Sequence, residues 1–152
     1  MVHIVSTKQA KNASAEYIWS KLSKYSDFAW HPSIVTSKDI GSIPNGSDNM
    51  IGAVRLLVND SGKELVETVT KWDEDMMYYA CSIDKGGPPI AKHVEVGFRV
   101  REDPMNKKIV YVDTIMDLKL KGPFIILKPI LKKVLPSKIG QLTSGITELV
   151  EQ

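Results

Sequence analysis

The residues in this chain whose types support chemistry are few and widely spaced. Glu67 stands between Leu65 and Val69, which share its parity on a segment that reads as a strand, so its carboxylate belongs to an apolar face. A carboxylate in such company needs a partner or a raised pKa. Arg55, on the preceding predicted strand, is the candidate partner. The commonest role for such a pair is an ion pair that sets strand register, then a polar anchor for a ligand, and last acid/base catalysis. Tyr79 and Cys81 share parity with Met77 and Ile83. Tyr79 reads first as core packing with one phenol hydrogen bond and second as a ligand contact. Cys81 has no basic group nearby in sequence to stabilise a thiolate and reads as inert. His31, beside Pro32, is more often exposed than a ligand contact. His93 is out of phase with Val94, Val96, Phe98 and Val100, the inward set, and should face solvent.

The remaining chemistry is mostly excluded. His3, His31 and His93 are too far apart for a sequence-local metal motif, and a lone cysteine forms no internal disulfide. No nucleophile elbow, phosphate loop, dinucleotide fingerprint or zinc pattern is present, which favours binding over catalysis and implies no metal and no cofactor. A net charge of +2 leaves any electrostatic partner to a local patch and gives no sign of nucleic acid. Residues 1–11 lack a signal-length apolar run. The most apolar segment, 124–135, is cut by Pro129 and by Lys128, Lys132 and Lys133, short of the ~20 apolar residues a spanning helix needs. A reducing cytoplasm is the expected location.

Positioning these residues requires a core, and 152 residues with 43% hydrophobic content suffice for one domain, expected to cover 1–152. Residues 2–7 alternate and are β-branched, predicting a first strand. A cap at Asn12 or Ser14 leads into a helix whose Ala15, Ile18, Trp19 and Leu22 form one stripe, with Glu16 in its first turn. Residues 26–30 predict a second short helix, stopped by Pro32. From Ile34 to about Asp117 the spacing predicts six strands separated by Gly-, Pro-, Asn- and Asp-rich turns. Helical spacing returns with Leu127, Leu131, Val134 or Leu135, Ile139, Leu142, Ile146 and Leu149; Pro136 within it should kink or divide one long helix.

That order, strand, two helices, six strands and long helix, resembles the START-like (SRPBCC) superfamily in its polyketide cyclase/dehydrase-like branch. Ala15-Glu16-Tyr17-Ile18-Trp19, Phe28 and Trp30-His31-Pro32 are similar to the opening helix pair. Gly52-Ala53-Val54-Arg55, Gly62, Glu67, Asp73 and Tyr79 are similar to the central strands, and Gly122-Pro123-Phe124 to the lead into the last helix. The resemblance implies an α+β helix-grip fold: a seven-stranded curved antiparallel sheet, two short N-terminal helices and one long C-terminal helix enclosing a cavity. It also makes the face carrying Glu67 concave. Ligand contacts would then come from Trp30, Arg55, Leu57, Glu67, Val69, Tyr79, Cys81, Phe98, Leu131, Leu135 and Ile139.

On this reading the chain binds a small hydrophobic molecule, lipid-, polyketide- or quinone-like, as carrier or sensor. The rival is a cyclase or dehydratase moving protons with Glu67 or Tyr79. A third possibility is an interaction module with a vestigial cavity. The loops 41–49 and 84–91, rich in Gly and Pro, are expected to form the cavity mouth. Lys119, Lys121, Lys128, Lys132, Lys133 and Lys138, interleaved with isoleucines and leucines, read more commonly as a solvated helix face than as a membrane-surface or anionic-ligand site.

Overall fold

The computed structural model describes residues 1–28, 34–41, 43–44 and 47–151, with side chains throughout except at 148–151. The strands are β1 (Val2–Ala10), β2 (Ile34–Asp39), β3 (Val54–Asn59), β4 (Glu64–Asp73), β5 (Tyr78–Lys85), β6 (Ala91–Glu102) and β7 (Val110–Leu120). The helices are α1 (Ala15–Leu22), a 3-10 helix (Gly122–Leu127) and α2 (Lys128–Glu151). Among the described residues the strands form one curved antiparallel sheet in the order β1-β7-β6-β5-β4-β3-β2. Six strands thus follow α1 as a meander, and β1 is added at the edge beside β7. The first strand is longer than predicted, because pairing continues through Ala10 opposite Val110.

Helix α1 begins where Ser14 Oγ accepts the amide of Tyr17 at 3.2 Å. Its stripe of Ala15, Ile18, Trp19 and Leu22 is buried as the spacing required. The predicted second helix is corrected: the described residues 23–28 form turns, so one short helix, not two, opens the fold. Side chains hold this segment without a helical ladder. Tyr25 and Phe28 are buried, and the Phe28 amide donates to Ser37 Oγ on β2 at 2.9 Å. Residues 29–30, the rest of that predicted helix, lie outside the described residues, as does His31.

At the other end, Pro136 does not divide α2, which runs unbroken from Lys128 to Glu151. A proline removes one helical hydrogen bond, here to the carbonyl of the exposed Lys132, which water can satisfy. Packing on both sides of it restrains the helix: Leu135 lies against the core, and Ile139 and Ile146 are each 1% exposed. The hydroxyls of Thr143 and Thr114 hydrogen-bond each other at 2.8 Å, joining α2 to β7 inside the core.

Two irregularities decide what the concave face presents. Register shifts between Val66 and Glu67 and between Val69 and Lys71 on β4. The second shift turns Lys71 outward to meet Glu95 at 2.9 Å and Trp72 inward to stack on Tyr79, ring centroids 5.4 Å apart.

The opposite face has its own buried charge. The Asp113 side chain is 1% exposed and receives bonds from Arg99 Nε at 2.9 Å, Arg101 Nε at 2.8 Å and Thr7 Oγ1 at 2.6 Å, tying β1, β6 and β7 together. Burial opposes its ionisation, but the bonds from Arg101, Thr7 and Arg99 outweigh burial and hold its pKa below the ordinary carboxylate value. A lowered folded pKa stabilises the protein above the unfolded value of about 4, and that contribution is lost as pH falls toward the folded value. Asp113→Asn should therefore cost on the order of 2 kcal/mol in urea unfolding at pH 7. The gap between variant and parent should narrow below about pH 4; a gap that stays constant to pH 2.5 contradicts this account.

Candidate functional site

Arg55 and Glu67 face each other directly across β3 and β4. Arg55 Nε donates to Glu67 Oε2 at 2.7 Å and Nη2 lies 2.6 Å from the same oxygen. The third arm of the guanidinium, Nη1, donates to the Tyr25 carbonyl at 2.8 Å. Arg55 is 1% exposed, and its guanidinium lies 4.2 Å from the ring centroids of both Tyr25 and Phe28. Burial, the largest single influence, disfavours the charge on Arg55, but Glu67 together with Tyr79, Cys81 and Tyr25 outweighs it, and the guanidinium is held above its ordinary value. Tyr25 in turn donates its hydroxyl to the Glu67 backbone carbonyl at 3.0 Å. The 23–28 segment is thus fastened to the sheet through this pair from two directions.

Glu67 presents its other oxygen differently. No described residue donates a hydrogen bond to Oε1, while the side chain helps line an apolar chamber of about 180 Å³. Leu57 and Phe98 line the same chamber. A second chamber of about 440 Å³ shares its walls at Leu65, Ile83, Met116 and Leu142, and is bordered by Leu135 and Ile139 of α2. At its rim are Lys63, Lys138 and the Gly86-Gly87-Pro88 turn. Gly86 has φ +83°, and a Cβ there would come within 2.1 Å of the Glu64 carbonyl oxygen, so only glycine closes this turn against β4. Residues 86–88 of the loop 84–91 thus line the outer chamber. The described residues of 41–49 line neither chamber.

Several predicted contacts stand behind the wall. Arg55, Val69, Tyr79 and Cys81 are buried but line neither chamber, and Leu131 is half-buried on α2. Trp30 lies outside the described residues. Arg55 reaches the interior only through Glu67. The Cys81 thiol, 3.7 Å from Glu67 Oε2, is pushed well above its ordinary range, first by burial and then by Glu67, with Arg55 opposing. Such a thiol is no nucleophile. Tyr79 is pushed up by burial against the pull of Arg55, and its hydroxyl has no hydrogen-bond partner among the described residues. Trp19, Trp72, Tyr25 and Phe98 surround its ring.

The list of expected contacts omitted Phe28, Leu65, Ile83, Val96, Met116 and Leu142, all of which line the inner chamber. Signals for most of them were present: Leu65 shares parity with Glu67, Ile83 with Cys81, Val96 with Phe98, and Leu142 lies on the α2 stripe. Among the described residues no cluster of three His, Cys, Asp or Glu side chains is placed to hold a metal ion. No helix among them is long and apolar enough to cross a membrane.

A curved antiparallel sheet gripping a long C-terminal helix over an apolar interior is the START-like, helix-grip architecture. The chain belongs to the family described as polyketide cyclase / dehydrase and lipid transport, which matches residues 1–149. No curated protein matches it significantly. Among solved structures, a START superfamily protein from Mycobacterium smegmatis aligns with TM-score 0.72 at 19% identity, covering 99% of this chain and 97% of that one. A protein from Nitrosospira multiformis aligns with TM-score 0.70 at 19% identity, covering 99% of both chains. A point mutant of norcoclaurine synthase from Thalictrum flavum, solved with a transition state analogue, aligns with TM-score 0.70 at 19% identity over 97% of this chain and 92% of that one. At these identities the likeness shows the fold alone.

Proposed function

We propose that the protein binds one small, largely apolar molecule beneath α2, as carrier or sensor, and that the buried end of this molecule donates a hydrogen bond to Glu67 Oε1. The observation that carries this reading is the division of labour at Glu67. One oxygen is engaged twice by Arg55, while the other has no donor among the described residues, of which Glu67 is the only charged one lining this chamber. An acceptor that faces a largely apolar chamber in this way rewards a ligand that brings a donor and penalises one that does not. An engineered cavity of about 150 Å³ holds benzene, so an inner chamber of about 180 Å³ suits one ring, with the rest of the molecule in the outer chamber. A ring-bearing alcohol or phenol fits both requirements.

The alternative, a cyclase or dehydratase, would use Glu67 to accept a proton. Glu67 would then have to act as both base and acid, because no other titratable side chain among the described residues lines the inner chamber. Binding is therefore the better-supported reading. The test compares 2-naphthol with 2-methoxynaphthalene by isothermal titration. The donor should bind at least tenfold more tightly, in line with the roughly 1.5–3 kcal/mol of a hydrogen bond to a charged group. Leu142→Trp, which fills the shared wall, should abolish both without unfolding the protein. Equal affinity for the two probes would remove the role given to Oε1, and affinities unchanged by Leu142→Trp would place binding elsewhere. Native mass spectrometry of protein from its own source would then identify the natural occupant.

A further inference from the structure

The 3-10 helix and the start of α2 leave large apolar side chains in water. Ile126 is 78% exposed, Ile130 57%, Ile125 51% and Val134 47%, and these are four of the twelve exposed large hydrophobics among the described residues. The other eight are scattered over the strands, loops and α1, as is ordinary for a protein surface. Ile130 and Val134 lie one helical turn apart, on a different side of α2 from Leu131, Leu135 and Ile139, which pack on the core. The charge around them has one sign. From Leu118 to Thr147 the sequence contains six lysines and no acidic residue, and none of the six forms an ion pair among the described residues.

A solvated helix face accounts for the lysines but would carry polar residues at 125, 126, 130 and 134. A second copy of this chain would bring six more lysines against these six. A surface with apolar depth and negative charge satisfies both features, and the interface of an anionic bilayer has that composition. We propose that the 3-10 helix and first two turns of α2 dock the protein on an anionic lipid surface, the isoleucines entering the acyl boundary and the lysines meeting the headgroups. Lys138, which lines the outer chamber, lies one helical turn beyond Val134 on α2. Docking thus sets the outer chamber close to the membrane, although it does not depend on what the chamber holds.

The test is co-sedimentation of the full chain with vesicles of phosphatidylcholine alone and of phosphatidylcholine with about one third phosphatidylserine. The protein should bind the second and not the first, and release at about 0.5 M salt as the charges are screened. Ile126→Ser with Ile130→Ser should weaken binding more than tenfold, and Lys128→Gln, Lys132→Gln and Lys133→Gln together should weaken it by roughly fivefold per charge. All of these side chains but the half-buried Lys128 are exposed, so far-UV circular dichroism should be unchanged. Leu142→Trp should bind vesicles like the parent, which separates docking from the reading of the chamber. Absence of binding to the anionic vesicles overturns the proposal. So does undiminished binding of the isoleucine variant, which would leave only charge attraction, and so does a parent dimer that this variant converts to monomer.

Discussion

Arg55→Met is expected to destabilise the protein by about 3 to 5 kcal/mol, because it leaves the Glu67 carboxylate buried without its counter-ion. It also vacates the position between the Tyr25 and Phe28 rings and leaves the Tyr25 carbonyl without its donor. Glu67→Leu should cost a similar amount by stranding the guanidinium. Combining the two should recover much of the loss, since apolar replacements of similar volume can be neutral where a buried pair has been desolvated. A double-mutant cycle in urea at pH 7 measures this directly. Additive single losses would show that the two side chains do not act as a unit. The same double variant bears on function. If it is stable and binds 2-naphthol and 2-methoxynaphthalene equally, Glu67 is the donor-reading group, whereas a tenfold preference surviving in it would assign that preference to another residue.

Removing the chain after Lys138 should prevent folding. The deleted part carries Ile139 and Ile146, each 1% exposed, together with Leu142 and the Thr143 hydroxyl that meets Thr114. Burial of the three apolar side chains alone is worth about 4 to 9 kcal/mol, comparable with the whole stability of many domains. The truncated chain should lack a cooperative thermal transition and expose the concave face to hydrophobic dyes. A cooperatively folded truncation would mean that the sheet is held by its own hairpins and that α2 is an appendage.

How far this could be read from sequence depended on whether periodicity or depth was at issue. Strand alternation and the α2 stripe depend on near neighbours, so the order of elements and the meeting of Arg55 with Glu67 were legible. Which buried side chains touch the chamber was not. Val69 and Cys81 have inward parity and yet lie behind its wall, because depth depends on sheet curvature and on the register shifts in β4. The shift at Thr70 swaps the expected directions of Lys71 and Trp72, and parity counting has no signal for it. The expected second helix failed for a related reason. Tyr25 and Phe28 are held by the guanidinium and by Ser37, contacts made with β3 and β2 rather than within the segment. The lysine-rich stretch was visible as composition, but spacing alone did not show that Ile126, Ile130 and Val134 would remain uncovered.

The position of β1 at the sheet edge beside β7 imposes an order on folding. Ala10 pairs with Val110 and Val2 with Leu118, so this ladder closes a loop of roughly a hundred residues, whereas the pairs from β2 through β7 join strands that are neighbours in the chain. During synthesis the first strand emerges early and must wait for almost the entire meander before its partner exists. Its alternating apolar residues, Val2 and Ile4 among them, remain uncovered for that interval. Helix α2, which follows β7 and packs on β1, emerges only after the whole sheet, so the grip that covers the interior and the ladder that completes the sheet are committed together.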